Sequence, residues 1–171
     1  ETIIRLSTAA EYIDDDTGGH IRRISAVSAG VAEAMGLEPG RVELLRHASP
    51  MHDVGKIGVP QEILRKPGAL TGAERAVMQR HTTIGADILG EGANELLATA
   101  RRVALSHHER WDGAGYPHGL TGEAIPLEAR IVAVADVFDA LVSKRCYKAA
   151  RPTAAAPRVL RDQAGKQFDP A

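Results

Sequence analysis

The sequence predicts an all-α fold. Apolar residues recur at three- and four-residue spacing along most of the chain. No run alternates polar and apolar residues as a half-buried strand would, and Gly or Pro stands near the ends of the periodic stretches. Length and composition agree: 171 residues suit one domain with a short extension, and 44% hydrophobic with 25% charged residues is ordinary globular usage.

Residues 1–15 place Ile3, Leu6, Ala10 and Ile13 on a narrow apolar seam of the kind that pairs helices. This segment reads as a linker or dimer helix, and residues 16–171 as the domain. From about Thr17 to Met35, His20, Ile24, Val27 and Val31 share one face, and Gly36 is placed to cap the helix end. A further helix over about Pro39–Ala48 is broken by Pro50, just before His52 and Asp53. VPQEIL at 59–64 reads as loop. Thr71-Gly72-Ala73-Glu74 has the capping-box pattern, and the helix it starts should carry Val77, His81, Ile84 and Ile88 on one stripe as far as Gly90. Leu96, Ala100, Val103 and His107 repeat the arrangement, and an irregular segment follows over 113–126. After Pro126 the run LEARIVAVADVFDAL is apolar nearly all round, which predicts a central helix containing Asp136 and Asp139. A last helix is expected over about Thr153–Ala164.

The net charge of −1 gives no bulk attraction to a nucleic-acid polymer or a membrane, although a local cluster of cations can still hold a small phosphorylated ligand. Cys146 is the single cysteine, so no internal disulfide can form and a reducing compartment, the cytoplasm, is expected. No stretch approaches the roughly eighteen apolar residues of a membrane helix. The chain opens at Glu1 inside a helical pattern and without Met, which suggests a domain excised from a longer protein.

A single His on an apolar helical face is ordinarily a satisfied core residue. Here His20, His52, His81 and His107 each fall on or at the end of an inward stripe, with His108, Asp53 and Asp136 near them. Burying that many polar groups unpaired costs a few kcal/mol apiece, at roughly 1–3 kcal/mol each in proteins, and a shared metal site satisfies them together. Consecutive helical residues point about 100° apart, so His107 and His108 suit two ions better than one, with Asp53 able to bridge. Imidazole and carboxylate without thiolate suit iron, manganese, nickel or zinc. Two ions about 3.5–4 Å apart are the arrangement that activates a water in phosphoester hydrolysis.

His52-Asp53-Val54-Gly55-Lys56 resembles the HD signature of the metal-dependent phosphohydrolases, and Gly115-Tyr116-Pro117 resembles the mark of its HD-GYP branch. The likeness extends through DTGGHIRR at 16–23, HASPMHDVGKIGVP at 47–60, KPGALT at 66–71, HTTIGADIL at 81–89, HHERWDGAGYPHGL at 107–120 and RIVAVADVFDALVSKRCYK at 130–148. The resemblance implies an HD-domain helical bundle with a metal site in its core and an irregular GYP loop. It also implies a cyclic-di-GMP phosphodiesterase that opens the cyclic dinucleotide to linear pGpG and, in some members, continues to GMP. The metal ligands it implies are His20, His52, Asp53, His81, His107, His108 and Asp136, with Asp53 bridging two divalent ions. Iron or manganese comes first, with nickel, zinc or magnesium as the other choices.

Asp16 stands where members with a third ion carry glutamate, and it reads equally as a ligand or as the cap of the helix from Thr17. Lys56 matches a lysine facing the scissile phosphate and makes, with Asp53, the catalytic pair. Gly115, Tyr116 and Pro117 belong to the loop lining the ligand groove. Arg145 and Lys148 match residues that contact the dinucleotide, and Cys146 replaces a common proline there. Asp139 is expected to hold an imidazole or guanidinium, while His47 and His118 match no ligand position. Implied partners are cyclic-di-GMP, a diguanylate cyclase through the GYP loop, and a second copy in a homodimer, with the domain as the output of a response regulator. The rival readings are a hydrolase of another cyclic dinucleotide and a low-activity sensor or adaptor.

Overall fold

The computed structural model describes Ser7 and residues 19–91, 94–143 and 155–171. The seam at Ile3, Leu6, Ala10 and Ile13 lies outside them, as do Asp16, Arg145, Cys146 and Lys148. Among the described residues the chain is all-α. Its helices are α1 (Gly19–Ala34), α2 (Pro39–Ala48), α3 (Gln61–Leu64), α4 (Gly72–Gln79), α5 (His81–Leu89), α6 (Glu95–Ser106), α7 (Leu127–Val142) and α8 (Ala156–Asp162). Short 3-10 turns occur at Ser49–Met51, Val54–Gly58 and Gly122–Ala124. No helix among the described residues is long and apolar enough to cross a membrane.

The core is a four-helix cluster. Ile24, Ala29 and Ala32 of α1, Val42 and Leu45 of α2, Val103 of α6, and Ile131, Val132 and Ala135 of α7 pack together out of water. Each large aliphatic side chain there contributes about 1.5–3 kcal/mol, and the alanines let the helices approach closely. The start of α1, the end of α6 and the middle of α7 each bring a site residue to one end of this cluster, where the Ser49–Gly58 segment crosses.

Local signals explain most boundaries. Gly36 has a left-handed φ of 74°, and the Leu37 amide bonds the Ala32 carbonyl at 3.0 Å while Gly36 bonds Glu33 at 2.9 Å, a Schellman end to α1. Asn94 caps α6 by accepting from the Leu97 amide at 3.0 Å. At α4 the Thr71 hydroxyl accepts the Glu74 amide while Glu74 accepts the Thr71 amide at 2.8 Å, completing the capping box.

Four expectations need correcting. The helix expected to run from Thr71 to Gly90 is two, broken at Arg80. His81 Nδ1 donates to the Met78 carbonyl at 2.8 Å, and the hydroxyls of Thr82 and Thr83 donate to Gln79 and Arg80 at 2.9 and 3.0 Å. Side chains thus take the Met78 and Gln79 carbonyls at the break, while the Arg80 carbonyl keeps its helical partner, the Ile84 amide, at 2.9 Å. Its stripe also shifts: His81, Thr82, Gly85 and Ala86 are buried, whereas Ile88 is half exposed. In α1 the fully buried face runs through His20, Ile24, Ser28 and Ala32, with Val27 and Val31 partly buried beside it. Finally, the stretch at 59–64 is not all loop, since Gln61–Leu64 forms one helical turn.

Candidate metal centre

Seven of the residues singled out from the sequence converge. Ligand-capable atoms of Asp53, His81, His107 and His108 lie within 4.8 Å of one another, and those of His20, His52 and Asp136 form a second such group. Asp53 stands between the two. Its Oδ1 is 3.4 Å from His81 Nε2 and 3.6 Å from His107 Nε2, and its Oδ2 is 3.3 Å from His52 Nε2. His20 Nε2 lies 3.7 Å from Asp136 Oδ1.

The imidazoles are aimed by their own backbone. Nδ1 of His52 donates to the Ser49 carbonyl at 3.0 Å, and Nδ1 of His81 donates to Met78. Nδ1 of His107 is shared between Val103 and Ala104 at 3.1 Å each. A carbonyl can only accept, so each Nδ1 carries the hydrogen and each Nε2 is left for the centre. His20 obtains the same orientation from Asp139, whose Oδ2 accepts its Nδ1 at 2.7 Å. Asp139 in turn takes Arg23 through both oxygens and the Ser143 hydroxyl at 2.9 Å. This is the imidazole and guanidinium partner expected of it.

The Nε2 atoms of His52, His81 and His107 and Oδ1 of Asp53 are buried with no hydrogen-bond partner. Four orphaned acceptors converging on one spot would be costly unless a cation completes them, so the donor set fits divalent metal ions. The electrostatics point the same way. Burial lowers His52, but Asp53 beside it outweighs this and lifts it to about 9. Burial would raise Asp53, but Lys56 and His52 hold it well below the usual carboxylate range. Burial drops His81 to about 4, and burial together with His107 drops His108 well below the ordinary imidazole value. The Asp53 carboxylate thus favours positive charge at its side, while burial disfavours it on His81 and His108. A proton occupies charge space that a metal can take over.

The expected divergence of His107 and His108 is not what the structure shows. Because α6 ends at Ser106, His108 turns back, the two rings approach to 4.1 Å, and both join the Asp53 group. The HD pair sits where the break at Pro50 was expected to put it, between the two 3-10 turns that follow α2.

Four features escaped the sequence. Gly55 lies so close to α5 that a Cβ there would stand 1.9 Å from the His81 carbonyl oxygen and 2.4 Å from the Gly85 amide. The turn bearing Asp53 therefore seats directly on the helix bearing His81. Glu109, next to His108, is buried and accepts the amides of His118 and Leu120 at 2.8 and 3.0 Å, closing the Gly-rich loop beneath it. Gly115 is pressed onto that segment, with 2.4 Å between its would-be Cβ and the Arg110 amide. The C-terminal segment fixes the other side, where the amides of Trp111 and Asp112 donate to Gln167 and Lys166. The only advance signals were residue types: glycines in the HD and loop motifs and a carboxylate directly after the histidine pair.

The loop carries Tyr116 over the site. Its ring stacks on His108 at 4.8 Å, its amide bonds the His108 carbonyl at 3.2 Å, and burial pushes its phenol pKa up. The Tyr116-Pro117 peptide is cis. Beside it opens a cleft of about 340 Å³ whose lining includes Arg75, Gln79, Tyr116, Ala133 and Val137, and which reaches His107, His108 and Asp136. Lys56 donates to Asp53 Oδ2 at 2.7 Å. His47 is exposed beside Glu43, 3.7 Å away, as a residue outside the site should be.

The HD domain family profile matches residues 7–171. Over 99% of its length the chain is 51% identical to the cyclic di-GMP phosphodiesterase response regulator RpfG of Xanthomonas campestris and 45% identical to a cyclic di-GMP phosphodiesterase of Thermotoga maritima. It covers 45% and 46% of those proteins, so the chain spans about half the length of these curated relatives. Among solved structures, a cyclic GMP-AMP-specific phosphodiesterase of V. cholerae superposes with a TM-score of 0.73 at 22% identity, over 99% of this chain and 45% of that one. With the family profile spanning nearly every residue and the HD pair at the middle of a converging set of histidines and carboxylates, the chain belongs to the HD domain family.

Proposed function

We propose that this domain is a metal-dependent phosphodiesterase that hydrolyses cyclic-di-GMP to linear pGpG, with GMP as the product if a second bond is cut. The observation that carries it is the convergence of orphaned Nε2 atoms and Asp53 Oδ1 at the inner end of a cleft edged by the Gly115-Tyr116-Pro117 loop. In support, relatives at 51% and 45% identity are named cyclic di-GMP phosphodiesterases.

Asp53, His81, His107 and His108 would hold one ion and His20, His52 and Asp136 the other, with Asp53 between them, and iron or manganese suits this all-nitrogen and oxygen set. Bound there, a divalent pair supplies a water activated at neutral pH and positive charge against the phosphoryl oxygens. The chain's own residues do the rest. Asp53 and the carbonyl-anchored imidazoles hold the donor atoms at fixed positions, and Asp139 fixes His20. Lys56, beside Asp53, stabilises charge developing on the phosphate as a point donor. The stacked Tyr116 shields His108 from bulk water on its side of the cleft. The water oxygen joins phosphorus, the bond from phosphorus to the ribose oxygen breaks, and the departing oxygen takes a proton to leave pGpG.

In the intact protein, residues 1–15 would link an input domain to a cytoplasmic hydrolase over 16–171, working as a homodimer. The apolar seam, the single cysteine and the greater length of the relatives support that setting. Arg145 and Lys148 would contact the dinucleotide, and the GYP loop would meet a diguanylate cyclase partner.

Purification without oxygen, metal analysis, and chromatography of cyclic-di-GMP, pGpG and GMP test the reading together. Asp53→Ala should lose both bound metal and turnover. Near-normal hydrolysis by a metal-replete Asp53→Ala protein overturns it.

A further inference from the structure

A cyclic dinucleotide's phosphodiester ring is common to every member of the class, so a hydrolase that selects among them must read the bases with residues away from the metal centre. Two cations line the cleft. Arg110 is committed, its guanidinium paired with Asp112 at 3.0 and 2.7 Å. Arg75 is not: no carboxylate among the described residues pairs with it, and its side chain is exposed in the second turn of α4.

Gln79 lies one turn further along α4 and lines the same cleft. Ala133 and Val137, one turn apart on α7, give the cleft apolar surface, and the Tyr116 ring adds an aromatic face. A flat heterocycle needs this combination, apolar faces and a row of hydrogen-bonding groups along one edge. A phosphate makes no use of the apolar faces. Arg75 and Tyr116 line the same cleft.

From their shared lining of this cleft we infer that Arg75 is its base-reading residue, its guanidinium fork donating to the O6 and N7 acceptors of a guanine in the bound cyclic dinucleotide. Adenine presents a donor where guanine presents O6, so the fork rejects it. The inference rests on the proposed substrate class and deepens it to a preference for guanine.

The test uses the metal-loaded domain and compares kcat/KM for cyclic-di-GMP and cyclic-di-AMP in the wild type, Arg75→Ala and Arg75→Lys. Thermal midpoint and bound metal are measured as controls on folding. Arg75→Ala should reduce the guanine-to-adenine preference by roughly 5- to 100-fold. Arg75→Lys should restore only part of it, because an ammonium cannot present the planar fork. An unchanged preference ratio, or an equal fall on both dinucleotides, overturns the assignment, the second pointing to the phosphate ring instead. If the wild type hydrolyses bis(p-nitrophenyl) phosphate but neither dinucleotide, the proposed substrate class fails and this inference falls with it.

Discussion

Lys56 donates to Oδ2 of Asp53 at 2.7 Å while the opposite oxygen of the same carboxylate faces His81 and His107. The lysine proposed to act on the phosphate is thus held on the carboxylate placed between the two ligand groups. Lys56→Ala should lower kcat by about 10²–10³-fold, the usual loss when one donor to a developing oxyanion is removed. Bound metal should stay near the wild-type amount, since Lys56 is not among the grouped donors. A large loss of metal with kcat per metal unchanged would assign Lys56 to holding Asp53 alone.

Asp139→Asn tests the partner behind the centre. Burial would raise the Asp139 carboxyl, yet His20, Arg23 and Ser143 together hold it well below the usual range, so an anion is what they require. The amide keeps the shape and removes the charge that fixes the His20 tautomer. Competition against a chelator should show metal affinity reduced by about 10–100-fold; an unchanged affinity removes Asp139 from the site.

Gly55→Ala places a methyl against the backbone of His81 and Gly85, where no flexible side chain can yield. The Asp53 turn must lift from α5. Denaturant unfolding should show a loss of about 3 kcal/mol, the upper end of ordinary overpacking, together with reduced metal content. Wild-type stability and metal content would mean the turn is not seated as described.

The capping box gives a pH signature remote from the metal. Hydrogen bonds from Lys66, at 2.8 and 2.7 Å, and from Thr71 lower Glu74 from 4.5 to about 2. A depressed carboxyl stabilises above its unfolded value and loses that contribution as protons bind the folded state. The melting difference between wild type and Glu74→Gln should therefore be full above about pH 5 and shrink as pH falls from 4.5 toward 2. Because Glu74 remains partly open to solvent, added salt should shrink it too. A difference constant across that window would assign the effect to helix shape alone.

The histidine pattern was legible because a polar residue on an apolar stripe contradicts its surroundings, and four such contradictions have one economical resolution. The central helix and the ends at Gly36 and Thr71 were legible because their signals are local. The break at Arg80 was not, since the apolar spacing runs through it and only the captured carbonyls of Met78 and Gln79 reveal the stop. Gly55 and Glu109 act through backbone that is distant in sequence or folds back over them, and residue type alone did not show which atoms they would meet. His107 and His108 were misjudged in direction because an ideal helix was assumed one residue too far.

Three of the imidazoles borrow a carbonyl from their own preceding turn, three or four residues back. Their orientation is therefore settled by the chain alone, so loading the centre demands little rearrangement. A cage finished in advance recognises charge and coordination number better than it recognises an element. The metal that fills it is set by what the cell supplies as much as by the protein.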